Sequence, residues 1–255
     1  AGTSLVNLVD GLKNGRNDIS LTFLEGWRLE QFAIFASQKL KNFNYQEFMD
    51  IAKSYEGYLF PDTYFFNLDA DEEEVFNKLR ETFDKKTSSI LTGENLDKAG
   101  LTKEEAIIFA SMVEREVSKP DDAPVVAGIL IKRWKEGMKL DVDATTQYSV
   151  VYKRLCGGDG NDILCIPALE DVYDVDWWPH NLTRAELDTE HPYNTRAVVG
   201  LPPTPISSFS LSSLSAVLNY EESPYYFYLT GKDGIMRYGV DIKEHEQNIS
   251  QYLSN

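Results

Sequence analysis

Long apolar runs are missing from this chain. Nowhere do 18 hydrophobic residues follow one another, so no segment reads as a membrane span. The opening residues, Ala1-Gly2-Thr3-Ser4-Leu5, lack a basic stretch leading into an apolar one, so no signal peptide is legible there. Positive charge is scarce: 25 Lys and Arg stand against 41 Asp and Glu, a net charge of −16. Such a surface repels phosphate backbones, so nucleic acid is not an expected partner. Histidine is rare too, and His180, His191 and His245 show no metal-ligand spacing. No metal site and no cofactor are expected. The nucleophile elbow G-x-S-x-G, the zinc motif H-E-x-x-H and the phosphate loop G-x-x-x-x-G-K-[ST] are all absent. So are internal repeats and low-complexity segments. The two cysteines, Cys156 and Cys165, bracket the loop Gly157-Gly158-Asp159-Gly160-Asn161-Asp162. A disulfide in an oxidising compartment and two separate thiols both fit that spacing.

What is present can bury a core, since 42% of 255 residues are hydrophobic, enough for one or two domains. Ile19 to Leu24 alternates and reads as a strand. Leu29, Phe32, Ala33, Ala36 and Leu40 recur at helical spacing, so a helix is expected over Arg28 to Lys41. A second follows over Tyr45 to Lys53, and Tyr58 to Phe66 reads as extended pieces around Pro61. The acidic run Asp69 to Glu74 lacks the glycine of a calcium loop and reads as the start of a helix over Glu72 to Lys86. Asn95 to Leu101 is polar and loop-like. Thr102 and Glu105 form a capping box for a helix reaching about Ser118, where Pro120 stops it. A further helix covers Val125 to Glu136. From Lys139 to about Ser208 the sequence reads as irregular, and long loops tend to be functional. A helix over Leu211 to Asn219, a hairpin from Tyr225 to Val240 and a terminal helix over Glu244 to Leu253 complete the reading. The fold class is α+β: a small βααβ unit followed by a mixed α/β domain.

Candidate chemistry begins in Ala110-Ser111-Met112-Val113-Glu114-Arg115-Glu116. At about 100° per residue, Ala106, Phe109, Ala110, Val113 and Val117 make one apolar face. Glu114 lies on one edge of that face and Glu116 on the other. Desolvation at such an edge favours the protonated form of a carboxyl, which can then donate to a leaving oxygen. Most glutamates at helix edges are merely solvated, so this segment alone does not assign a function. Asp143, Thr145 and Tyr148 bring an acid, a hydroxyl and a phenol within a few residues. Tyr193, Asn194 and Thr195 add another phenol, an amide and another hydroxyl, next to the stiff Gly200-Leu201-Pro202-Pro203. Such groups suit sugar hydroxyls and N-acetyl amides; capping and turn formation are the plainer use of them.

The ordered set Leu24-Glu25-Gly26-Trp27, Glu56-Gly57-Tyr58-Leu59-Phe60-Pro61-Asp62-Thr63-Tyr64, Ala110 to Glu116, Asp143-Ala144-Thr145-Thr146-Gln147-Tyr148, Tyr193-Asn194-Thr195 and Gly200-Leu201-Pro202-Pro203 resembles the endolytic murein transglycosylases of the MltG, or YceG-like, type. The resemblance implies a LysM-like subdomain over residues 1–55 and a YceG-like catalytic domain over 56–255. It implies a lytic transglycosylase that cuts nascent peptidoglycan strands internally and leaves 1,6-anhydro-N-acetylmuramic ends. Glu114 matches the catalytic glutamate; Glu116, Asp143, Thr145, Tyr148, Tyr193, Asn194 and Thr195 match groups of the substrate cleft. It also implies an extracytoplasmic enzyme held to the bacterial cytoplasmic membrane by an upstream helix, with cell-wall synthesis enzymes as partners. The alternatives are a hydrolytic muramidase using Glu114 with Asp143, and a catalytically silent peptidoglycan-binding scaffold. The chain departs from the family pattern at Lys132-Arg133-Trp134, at Ser207-Ser208-Phe209-Ser210, at Met236, where a histidine is common, and in an apparent insertion from Cys156 to about Asp176.

Overall fold

The computed structural model describes residues 18–157 and 165–253. The opening residues and the Gly158–Asp162 part of the glycine-rich loop lie outside them. The architecture is α+β, as expected. Strand β1 (Asp18–Thr22) pairs antiparallel with β2 (Thr63–Asn67), with Leu21 opposite Tyr64. Alternation sends Tyr64 and Phe66 inward and leaves Phe65 in solvent. Helices α1 (Leu29–Lys39) and α2 (Tyr45–Ala52) lie between the strands in sequence. They cover this sheet with Phe32, Ala33, Ala36 and Phe48, all buried. Pairing with β2 carries the βααβ unit to Asn67, past residue 55. Helix α3 (Glu72–Thr87) starts on Asp71, whose carboxylate accepts the Glu74 N–H at 2.9 Å, and its first turn holds the acidic run.

The segment expected to be a loop at Asn95 to Leu101 contains helix α4 (Gly93–Ala99). Local chemistry explains the difference. Thr92 caps the start by accepting the Asn95 N–H, and Gly100 (φ +65°) ends it in the left-handed region.

Helix α5 (Lys103–Glu116) forms the spine of the second core. Its capping box is present: the Glu105 N–H donates to Thr102 Oγ1 at 3.2 Å, and the Thr102 N–H donates to Glu105 Oε2 at 2.7 Å. Ala106 to Val113 are buried without interruption. Around α5 pack α6 (Ala123–Lys135), α7 (Asp143–Cys156) and α10 (Leu211–Leu218). Helix α7 corrects the reading of 139–208 as irregular throughout. Its polar residues conceal it, because they are buried and satisfied on their own helix: Thr145 Oγ1 donates to the Val142 carbonyl and Ser149 Oγ to that of Thr146, each at 2.7 Å. Short helices α8 (Leu169–Val172) and α9 (Arg184–Leu187) also lie in this stretch. The chain ends in the antiparallel hairpin of β3 (Phe227–Thr230) and β4 (Met236–Gly239), against which α11 (Ile242–Tyr252) packs. Cys156 and Cys165 are joined by a disulfide, with Cα atoms 6.0 Å apart, which settles the choice the spacing left open. Among the described residues no helix is long and apolar enough to cross a membrane.

Candidate active site at the end of helix α5

The last turn of α5 carries Glu114, Arg115 and Glu116, and each faces a different neighbourhood. Glu114 is half-buried and reaches the N-terminus of α10. Its Oε2 accepts three hydrogen bonds: from the Ser210 N–H at 2.9 Å, from Ser210 Oγ at 2.7 Å and from Ser213 Oγ at 2.7 Å. The helix terminus favours a carboxyl there. Among the described residues no hydrogen bond reaches Oε1.

The segment that delivers these serines is stitched to its surroundings. Ser111 Oγ accepts the Ile206 N–H at 3.1 Å, and Ser207 Oγ donates to the Ser111 carbonyl. Ser208 exchanges backbone bonds with the N-terminal unit: its N–H donates to the Trp27 carbonyl at 2.8 Å, and its carbonyl accepts the Gly26 N–H at 3.0 Å. The Ser208 hydroxyl also donates to the Leu24 carbonyl. This brings Glu25 toward Glu114. Burial, and next the Glu114 charge, raise the Glu25 carboxyl above its ordinary pKa.

Glu116, about 200° further round the helix, borders a different space. A cavity of about 540 Å³ is lined by Glu116, Arg133, Asp143, Arg196, Tyr228 and His245, among others. Tyr228 Oη donates to Glu116 Oε2 at 3.0 Å. The Glu116 carboxyl is pushed up to about 7, chiefly by burial and next by the Asp143 charge, against the lowering effect of the Tyr228 hydroxyl. Arg133 pairs with Asp141, and Arg196 with Asp143. Burial, then the Arg133 charge, lower the pKa of His245, which stacks on Phe227.

The other candidate residues are mostly interior. Thr145 and Thr195 share a buried hydroxyl–hydroxyl bond of 2.7 Å, and Thr195 Oγ1 accepts the Val142 N–H. Asn194, fully buried, accepts from Thr146 Oγ1 at 2.8 Å and donates to the carbonyls of Leu187 and Thr189. Tyr193 is buried and bonds Thr204 in the Pro-rich segment at 2.7 Å. Tyr148 lies beneath the Arg28 guanidinium, 4.2 Å from its ring centroid, and its ring is 4.6 Å from that of Tyr193. Thr145, Tyr193, Asn194 and Thr195 hold one another and their neighbours in the floor under α7 and the Pro-rich wall. Glu114, Glu116 and Asp143 keep accessible surface, but Glu114 lies apart from the Glu116–Asp143 cavity.

Sequence reasoning missed Ser210 and Ser213 as partners of Glu114. The signal was present: Ser210 begins a serine-rich start to an apolar helix, and its hydroxyl accepts the Ser213 N–H as an N-cap. It also missed Tyr228, Arg133 and Arg196, which no local pattern marks. Among the described residues no cluster of three or more His, Cys, Asp or Glu could hold a metal ion.

Comparison with known proteins adds to this geometry. The sequence pattern of the YceG-like family matches residues 1–251. A protein of Bacillus subtilis (strain 168) named endolytic murein transglycosylase is 26% identical over 202 residues, covering 78% of this chain and 48% of the relative. Proteins of the same name from Streptococcus pneumoniae strains D39 and R6 are 26% and 27% identical over 201 residues, covering 78% of this chain and 32% of theirs. The chain thus spans about half or less of the length of these relatives. A crystal structure of a yceG-like protein from Listeria monocytogenes shares the fold, with a TM-score of 0.70 at 23% identity over 95% of this chain and 80% of that one.

Proposed function

This chain belongs to the YceG-like family, and from that premise and the last turn of α5 we propose that it is a lytic transglycosylase acting on peptidoglycan. The observation that carries the reading is the setting of Glu114. One carboxyl oxygen is fixed by Ser210 and Ser213, and the other takes no hydrogen bond among the described residues. Glu114 acts through Oε1: as the C1–O bond of the β-1,4 linkage that follows N-acetylmuramic acid breaks, the carboxyl gives its proton to the leaving oxygen. The carboxylate so formed takes the proton of the C6 hydroxyl of the same muramyl residue as its oxygen bonds to C1. Cleavage and ring closure leave a 1,6-anhydro end, consume no water, and return the proton to Glu114. One carboxyl serves as acid and then as base. The Asp143 of the hydrolytic alternative sits with Glu116 and pairs with Arg196, so it is poorly placed to act with Glu114.

The βααβ unit is the LysM-like glycan-binding part of this reading. The enzyme works on nascent strands outside the cytoplasmic membrane, held there by an upstream segment and near cell-wall synthesis enzymes. The Cys156–Cys165 disulfide fits an oxidising compartment.

A second reading has its own observation. Glu116 has a raised pKa and borders a cavity of about 540 Å³, which are properties of a proton donor. Mass analysis of products from purified sacculi tests the reaction. Ends lighter by one water than hydrolytic ends are expected; reducing muramyl ends as the main product would overturn the transglycosylase reading. Glu114→Gln and Glu116→Gln decide which carboxyl acts.

A further inference from the structure

Between the two glutamates stands an arginine with no hydrogen-bonding partner among the described residues. Arg115 makes no hydrogen bond and no ion pair among the described residues, although it is flanked by Glu114 and Glu116, and its Nε is buried and unbonded. Its guanidinium lies over the Trp178 ring, 4.1 Å from the centroid. Arg28 shares that indole at 4.3 Å, but Arg28 is buried and its amino groups are bonded to the carbonyls of Tyr148 and Trp177. Arg115 also packs on Gly26: a Cβ there would stand 2.9 Å from Nη1, and Gly26 adopts φ +74°. Gly26 is the residue after Glu25 and is bonded to Ser208, so Arg115 lies beside the segment that closes over Glu114. Stacking on an indole fixes a guanidinium while leaving its edge for a planar anion.

In a chain of net charge −16, such a cation is a local exception. Resting on the reading of the substrate as peptidoglycan, the anion can be named by class. The sugars of the strand are uncharged, and the negative groups near a muramyl residue are carboxylates of its peptide stem. We propose that Arg115 receives a stem-peptide carboxylate and thereby makes the enzyme selective for strands whose stems carry free carboxylates over strands whose stems are amidated.

The test uses this chain and two substrates: glycan strands with free stem carboxylates, and the same strands with those groups converted to carboxamides. A charge-assisted hydrogen bond contributes about 1.5–3 kcal/mol, or roughly tenfold or more in affinity. KM should therefore rise about tenfold for the amidated strands, with kcat little changed. Arg115→Gln should show the same rise on carboxylate strands and no further loss on amidated ones. Arg115→Lys, which keeps the charge without the planar fork, should fall between. Equal handling of both strands by the unaltered chain, or equal loss by Arg115→Gln on both, would overturn the proposal. Calorimetric binding of short muropeptides with free or amidated stems separates this proposal from the reaction itself. Discrimination in binding without anhydro products would sink the transglycosylase reading and support the arginine's role; anhydro products without discrimination would do the reverse.

Discussion

Glu114 and Glu116 are two residues apart on one helix, yet α5 gives them opposite settings. The first is bound through a single oxygen to the start of another helix, by partners nearly a hundred residues away. The second faces a cavity, accepts a phenol and is raised to about 7 by burial and Asp143. Neither setting comes from the glutamate itself. A turn of about 200° moves a carboxyl from donors that hold it to an acid that opposes its charge.

The strongest way to break this comparison is to remove each proton donor in turn. Glu114→Gln should lower kcat by about 10²–10⁴, the usual worth of general acid–base catalysis, while Glu116→Gln should cost far less. Rates measured on sacculi check this, and a larger loss from Glu116→Gln would hand the catalytic role to the cavity.

Stability against pH sharpens the second half. The folded-state pKa of Glu116, about 7, lies above its unfolded value. Its stabilising contribution is therefore complete below the unfolded pKa and is lost as pH rises toward and through 7. The loss is on the order of 3 kcal/mol. Denaturation of the unaltered chain and of Glu116→Gln at pH 4 and pH 8 should reveal it as a difference between them. Glu56, raised to about 8 chiefly by burial, adds a slope of the same sign to both proteins and cancels.

A smaller effect is expected from Ser210→Ala, which removes a hydroxyl donor to Glu114 and the cap of α10 at once. Loss of such a cap costs about 1 kcal/mol, to be read by urea denaturation, and kcat should fall with it. If kcat is unaffected, the serines hold the helix and not the acid. Tyr228→Phe is the mildest change. It removes one bond to Glu116, should raise that carboxyl further, and should cost under about 1 kcal/mol in stability; NMR titration of the carboxyl carbon would follow it.

What was legible in the sequence was local. The capping box at Thr102 and Glu105, the period of α1 and α5 and the strand at β1 all lie within a few residues, and each is present. Glu114 could be singled out because an apolar face gives a helix an edge. Helix α7 stayed hidden because hydroxyls at Thr145, Thr146 and Ser149 look like turn chemistry until burial shows what they bond. The bonds of Thr145 to Thr195 and of Ser210 to Glu114 join residues that only the completed fold brings together. For the same reason Tyr193, Asn194 and Thr195 look like a surface wall on paper and are interior in the molecule.

The two serines on Glu114 have a consequence for entropy. A free glutamate side chain loses about 1.5–2 kcal/mol of rotamer freedom when it is fixed in one place. Here that ordering is complete once α10 docks on α5, before any ligand arrives. Loosening the serines should therefore appear in the temperature dependence of the rate as a less favourable activation entropy, with the activation enthalpy little moved.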